Sequence, residues 1–304
     1  MLSPLLYTGL GVSGVTALAR RVRNAGVILC YHNVVSSADA SPGGTPGAHM
    51  PAERFHRHMR WLVAHYDVLP LSAFLDRTSR GAPMRRVASV TFDDAYAGMF
   101  EHAWPVLREL GVIPTVFVIA GAPGRTQWFW WDRPAVVRAS DDRRRREWLT
   151  TLRGDEDAVR HAVPEPAGGE AAPSGAYLAA PWSVIRQAAR TGMEVGVHSA
   201  THRALPALDD HELVDEIQAS RAVIARETGT APGVFAFPYG LWDKRVRRQV
   251  QEAGYQAALT LDYGLVAAGA DRWALPRVNV PSGMSDPAYR AWAAGLNARY
   301  VLRR

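Results

Sequence analysis

The chain has 304 residues, 48% hydrophobic, and a formal net charge of +6, which fits one large α/β domain or one domain with insertions. Its basic residues are almost all arginine, Lys244 being the one lysine, and they are scattered without a nucleic-acid motif, so no nucleic-acid partner is expected; a basic surface would still suit an anionic polymer or membrane. The single cysteine, Cys30, excludes an intrachain disulfide and, in the apolar run VILCY, reads as a small buried hydrophobe.

Residues 1–26 are moderately apolar up to Ala19, have no basic group before the apolar part, and carry Arg20, Arg21 and Arg23 after it. That is a poor secretory signal, and too glycine-rich and short for a membrane span. The segment reads as helical or as lying at a membrane surface, and the location as cytoplasmic or peripheral to the inner membrane.

From residue 27 onward, strand-like and helix-like segments alternate within a single domain, 27–304. VILCY (27–31) reads as a strand, 52–66 as an amphipathic helix, 67–69 as a short strand and 72–77 as a helix. RVASVTF (86–92) is a buried strand, followed by a helix over 96–110 and the strand PTVFVIA (114–120). Residues 121–180 break the rhythm with TQWFWWDRP, a charged stretch containing Arg143–Arg146 and a Pro/Gly/Ala-rich piece (164–176). This stretch reads as an insertion, its arginine run as a solvated helix face and 164–176 as a flexible loop. Trp128–Trp131 would either line an exposed groove or form the hydrophobic base of the insertion.

The alternation resumes with helix 181–192, strand 193–197, helix 210–229, strand 234–237, helix 243–254, strand 255–259, strand 275–280 and a helix from Asp286 to Tyr300. About seven β/α units predict a distorted, incomplete (β/α) barrel; a doubly wound sheet is the alternative.

Three motifs carry chemistry. VTFDDAY (90–96) ends a hydrophobic strand in Asp93 and Asp94. Such a pair is either a solvated turn or helix cap, or a site where a positive charge makes adjacent carboxylates tolerable. In VHSATHRAL (197–205), His198 and His202 are four apart directly after a strand, a spacing that on a helical turn brings two imidazoles to one face. Strand carboxyl ends gather at one face of a parallel barrel, so two imidazoles and a carboxylate can converge on a divalent cation while the other carboxylate moves protons. FAFPYG (235–240) also follows a strand, and alone would be a simple proline turn.

Taken together, TFDDA, HSATH and FPYG, in this order and each at a strand end, resemble the polysaccharide deacetylases, carbohydrate esterase family four, over roughly Val87 to Leu261. The resemblance implies a distorted (β/α) barrel with a divalent metal, most often zinc, that hydrolyses N-acetyl groups from amino sugars in a polysaccharide, oligosaccharide or lipid-linked glycan. It implies Asp94, His198 and His202 as metal ligands, Asp93 as general base, Ser199 as a support beside the ligands, and the backbone N–H of Tyr239 as an oxyanion donor. Pro238 and Tyr239 would shape the groove wall.

Two departures stand out. Many members have an arginine two residues before the motif proline, orienting the base; here that position is Ala236, and Arg277 in LPRVNV is the candidate replacement. No histidine follows His211 to serve as general acid, and His32, ending the strand VILCYH, takes that slot in an arrangement similar to the permuted poly-N-acetylglucosamine deacetylase branch. The rival readings are an O-acetyl glycan esterase with the same metal site, an amidohydrolase of a small cyclic amide, and a catalytically silent glycan-binding protein.

Overall fold

The computed structural model describes residues 14–39 and 43–297, together with Tyr7 and Gly9. Among them run the strands β1 (Ala25–Tyr31), β2 (Asn33–Val35), β3 (His49–Pro51), β4 (Asp67–Val68), β5 (Val87–Phe92), β6 (Thr115–Val118), β7 (Glu194–Val197), β8 (Val234–Ala236), β9 (Ala257–Leu259), β10 (Val266–Ala267) and β11 (Val278–Asn279). β2 and β3 form a small separate pair, and the other nine make one curled sheet: seven in the order β10-β1-β5-β6-β7-β8-β9, with β4 paired to β5 and β11 to β1.

From β1 through β9 the neighbours are parallel, as crossover helices require. β11 pairs parallel with the far edge of β1, and Leu275, just before it, bridges Leu259 of β9. The segment 275–279 thus joins the two ends of the sheet through a two-residue strand and one bridge. The result is the distorted, incomplete barrel expected from the alternation, not an open doubly wound sheet.

Successive residues of each strand point to opposite sides. Val27, Leu29, Tyr31, Val90, Phe92, Val116, Val118 and Phe235 join one buried apolar cluster with helices such as Ala52–His65 and Trp182–Arg190. Ile28, Val87, Phe117, Ala236, Leu259 and Leu275 join a second with Leu71 and Phe74 of helix Leu71–Ser79. Phe74 approaches the base of β1 so closely that a Cβ on Gly26 would lie 2.7 Å from its ring. The opposite, carboxyl ends of β1, β5, β7 and β8 carry His32, Asp93, His198 and the PYG turn.

Several elements differ from the sequence-based expectation. The helix after β5 starts late: a π turn, Met99–Ala103, leads into Trp104–Glu109, because 93–98 are occupied by the turn that holds the two aspartates. The helix at 210–229 is interrupted by a π turn at Asp215–Ala219. The Pro/Gly/Ala-rich stretch 164–176 is anchored: Glu170 pairs with the buried Arg133 (2.9 Å) and accepts from the Ala135 N–H (2.7 Å), and the Ala171 carbonyl accepts from Trp128 Nε1 (2.8 Å). Composition suggested flexibility there, but each of these bonds satisfies a buried donor of the insertion.

At the N-terminus a helix spans Val15–Val22, and β1 begins at Ala25. Arg23 ties this segment to the C-terminal helix through the Gly295 carbonyl (2.7 Å). Much of the expected membrane-surface segment, and residues 298–300 of the expected last helix, lie outside the described residues. No described helix is long and apolar enough to cross a membrane.

Candidate active site

Asp93 and Asp94 leave the end of β5 in different directions. The Asp93 N–H still bonds to the Tyr31 carbonyl (2.9 Å), continuing the β1–β5 ladder, and its carboxylate is fully buried. Arg277 grips that carboxylate with both arms of its guanidinium, Nη1 to Oδ1 at 2.7 Å and Nη2 to Oδ2 at 2.8 Å. The arginine is itself completely buried: Nε donates to the Thr260 carbonyl (2.9 Å), Nη1 also donates to Thr91 Oγ1 (3.3 Å), and its plane lies over Phe117 at 5.5 Å. Burial alone would raise the Asp93 pKa, but the paired guanidinium overrides it and holds the carboxyl well below the usual carboxylate range. The replacement of an arginine by Ala236 therefore leaves no unpaired base. The buried Cys30 Sγ lies 3.4 Å from Asp93 Oδ2, and burial pushes the thiol's pKa well up, so it stays protonated as a further donor to that oxygen.

At Asp94 the chain enters the left-handed region, φ +70°, as does Ala95. Ser199, His202 and Tyr239 do the same, so five of the seven non-glycine positive-φ residues among those described belong to the three motifs. Backbone strain collected in this way marks a site whose surroundings over-determine it. It also corrects the expectation of a helical turn at 198–202. The segment is a loop, and the two histidines meet because Ser199 and His202 reverse the chain between them. Ser199 Oγ accepts the His202 N–H (2.9 Å), while the Ser199 and Ala200 carbonyls accept from Ala120 (3.0 Å) and Gly121 (2.9 Å).

The imidazoles converge on Asp94. His198 Nε2 and His202 Nε2 are 3.2 Å apart, and they lie 3.6 and 3.4 Å from Asp94 Oδ1. His198 Nδ1 bonds to the Ala236 carbonyl (2.8 Å); a carbonyl can only accept, so Nδ1 carries the hydrogen and Nε2 offers its lone pair. Burial disfavours the charged imidazole and lowers the pKa of both histidines, His202 more so with His198 beside it. Burial, then the charge of Asp93, pushes the Asp94 carboxyl well up. Asp94 Oδ1 has no hydrogen-bond donor. Two neutral imidazoles and an undonated, buried carboxylate oxygen, all within 4.8 Å of one another, make a donor set that a divalent cation of the zinc type fits and that is costly without one.

His32 stands across from this cluster, half-buried, with a ring nitrogen within 4.8 Å of an Asp93 oxygen and of Cys30 Sγ. Burial lowers its pKa to about 4, against the opposing pull of Asp93. His32, Asp93, Asp94, His198, His202 and Tyr239 all line one cavity of about 440 Å³. Arg277 lies beneath it, buried behind Asp93. The Tyr239 ring sits 4.4 Å from that of His202.

Two supports were not legible in the sequence. Glu216, on the π turn, accepts from the backbone N–H groups of Ala200 (3.0 Å) and Thr201 (2.9 Å) and from the Thr201 hydroxyl, fixing the loop between the histidines. A π turn places one residue out of helical phase, which no periodicity argument reveals. Asp132, buried, accepts from Thr45 N–H (2.6 Å), His49 Nε2 (3.1 Å) and Tyr96 Oη (2.6 Å), tying the insertion to the rim. Of the aromatic cluster, Trp128, Phe129 and Trp130 are buried, whereas Trp131 is half-buried and lines the cavity, its ring 4.4 Å from His202. The cluster is thus mostly the base of the insertion, with one wall residue. Glu194 accepts from the hydroxyl of Thr115 (2.7 Å) and from Ser72, at the other end of β7.

The strand ends of a half-closed parallel barrel thus carry a His/His/Asp cluster beside an arginine-held aspartate. The family model of polysaccharide deacetylases matches residues 80–258, more than half the chain, and the chain belongs to that family. It is 21% identical over 271 residues, 88% of this chain and 76% of the other, to YxkH of Bacillus subtilis (strain 168), provisionally named a polysaccharide deacetylase. Among solved structures it resembles IcaB from Ammonifex degensii (TM-score 0.63, 20% identity, covering 90% of this chain and 98% of that one). It also resembles the Streptococcus pyogenes deacetylase PplD solved with acetate (TM-score 0.61, 17% identity, covering 87% and 96%). At these identities the structural likeness speaks for the fold.

Proposed function

We propose that this protein is a metal-dependent deacetylase that hydrolyses the N-acetyl group of an amino sugar, such as N-acetylglucosamine, in a polysaccharide, oligosaccharide or lipid-linked glycan. The observation that carries the reading is the pairing of an ionised, arginine-held Asp93 with the neutral-imidazole cluster of His198, His202 and Asp94, whose His198 Nε2 lies 3.9 Å from Asp93 Oδ2. Asp94, His198 and His202 would hold the cation, zinc being the metal their chemistry suits best. When bound, it supplies Lewis acidity, polarising a carbonyl and lowering the pKa of coordinated water to roughly 7.

The chain's own groups do the rest. Asp93 accepts the proton of the attacking water at Oδ2, the oxygen nearest the histidines. Arg277 keeps that carboxylate ionised and fixes its plane. The water oxygen adds to the acetamide carbon, the Tyr239 N–H donates to the carbonyl oxygen as it becomes negative, and the C–N bond then breaks to give acetate and a free amine. The amine nitrogen takes its proton from His32. Burial leaves His32 neutral in the resting site at neutral pH, so it acquires that proton during turnover, from the water deprotonated at Asp93.

The test is acetate release from N-acetylglucosamine oligosaccharides and from an O-acetylated xylan, before and after chelation. Release from the first substrate that stops on chelation and returns with zinc supports the proposal. Release from the O-acetyl substrate alone would make the protein an esterase, and binding of glycan without release of acetate would make it a lectin-like relative.

A further inference from the structure

The run DDRRRREW reads from sequence as a solvated face, and its four arginines are all exposed. The helix Asp142–Thr150 is capped by Asp141, whose Oδ1 accepts the Arg144 N–H (2.7 Å). It is pinned by Trp148, buried edge-on against Trp130 at 6.0 Å between ring centres. Just past its end, the Arg153 carbonyl accepts the Ala204 N–H (2.8 Å), tying the insertion to the chain that follows His202. With the helix held in this way, Arg145, one turn before Trp148, lines the catalytic cavity together with Ser140 and Thr45.

Among the described residues Arg145 has no counter-ion. Arg144 pairs with Asp141 and bonds to the Ala139 carbonyl, but Arg145 forms no ion pair among the described residues. Neither cavity aspartate pairs with Arg145: Asp93 is neutralised by Arg277, and Asp94 faces the two imidazoles. A solvent-reachable guanidinium on a fixed helix, aimed into a cavity whose carboxylates are already engaged, is a ready receptor for an oxyanion, which its planar fork matches.

Resting on the deacetylase reading, we propose that Arg145 forms an anion subsite: the amino sugar this enzyme accepts carries a negatively charged oxyanion group, a carboxylate or a phosphate, close to the acetamide it loses. A carboxylate would come from an acidic sugar neighbour in the chain, a phosphate from a sugar phosphate or a lipid-linked sugar diphosphate. The reaction itself is unchanged, since Arg145 acts on affinity for the charged substrate.

The experiment measures kcat and KM for acetate release from three substrates. They are a neutral N-acetylglucosamine tetrasaccharide, an oligosaccharide of alternating N-acetylglucosamine and glucuronate, and N-acetylglucosamine 1-phosphate. Enzymes are the parent, Arg145→Gln, Arg145→Lys and, as control, Arg143→Gln, which alters an exposed arginine that does not line the cavity. The expected result is a rise in KM of about tenfold or more for one or both anionic substrates in Arg145→Gln. The neutral KM and every kcat should stay put, Arg145→Lys should recover part of the loss, and Arg143→Gln should behave as parent. The anionic substrate affected identifies the source of the charge.

An equal change in KM on neutral and anionic substrates overturns the proposal. A fall in kcat on the neutral substrate overturns it too, by placing Arg145 in the reaction itself. Equilibrium binding of N-acetylglucosamine 1-phosphate and of glucuronate to parent and Arg145→Gln separates this inference from the reading beneath it. Binding lost in the variant supports the subsite even if no acetate is released, and identical binding of both anions refutes it even if the enzyme deacetylates.

Discussion

Arg277→Met removes the one arginine that, among the described residues, touches Asp93, and leaves a fully buried carboxylate to find another solution. One route is to stay ionised without its partner, which costs about 3–5 kcal/mol for a buried pair broken on one side. The other is to take up a proton, which costs about 1.4 kcal/mol for each pH unit above an unfolded value near 3.9, hence about 4 kcal/mol at pH 7 and about 1.5 kcal/mol at pH 5. The protein follows the cheaper route at each pH.

In the parent, the folded carboxyl lies below its unfolded value, so its contribution to stability is present above the unfolded pKa and lost as pH falls through the folded one. In the variant the folded carboxyl lies above it, so the contribution is present below the unfolded pKa and lost as pH rises. Both signs widen the gap between the two proteins with rising pH. At roughly 2 °C per kcal/mol for a chain of this size, the variant should melt about 3 °C below the parent at pH 5 and about 8 °C below at pH 7. Circular-dichroism melts over that range measure it, and Asp93→Asn/Arg277→Met should regain much of the loss because no buried charge remains. A variant that melts with the parent, or at a fixed distance below it at every pH, would refute the electrostatic argument for this pair. Acetate release by Arg277→Met should fall about 10- to 100-fold, as when the partner orienting a site residue is lost.

Glu216→Gln should lower stability by about 1–3 kcal/mol, because the amide keeps one acceptor oxygen for the loop N–H groups but loses the charge that strengthened all three bonds. It should also weaken zinc binding about tenfold, read by calorimetry; unchanged zinc affinity would show that the histidine loop holds its shape without Glu216. Trp130→Ala should destabilise by about 3–5 kcal/mol as a core deletion. Trp131→Ala should mainly raise KM for oligosaccharides, and the reverse pattern in melts and kinetics would contradict the assignment of core and wall. Because burial and Asp93 raise the Asp94 pKa, zinc binding should displace a proton from that carboxyl and tighten as pH rises. Calorimetry in buffers of different ionisation enthalpy detects this, and binding without proton release would contradict it.

Much of the candidate site was visible in the sequence because its aspartates and the first of its histidines sit at strand ends, where a hydrophobic run stops abruptly on a polar residue. Arg277 came from the family resemblance: the usual arginine position before the motif proline is Ala236 here, and the arginine among the apolar neighbours of LPRVNV was the candidate replacement. Arg145 and Glu216 escaped for the opposite reason. In DDRRRREW every charge looks alike, and only Trp148, by pinning the helix, decides which arginine faces the cavity. Glu216 depends on a π turn that shifts the helix by a residue, and the meeting of His198 with His202 depends on two left-handed residues, not on helical spacing. Such local departures from regular geometry are set by tertiary contacts, so pattern alone does not carry them.

The most direct test of the central claim is metal content and acetate release measured together on the parent and on Asp93→Asn. The account expects about one zinc or similar cation per chain in both, with acetate released from an N-acetylglucosamine oligosaccharide by the parent and release lost in the variant. A metal-loaded Asp93→Asn enzyme that works at the parent's rate would contradict it.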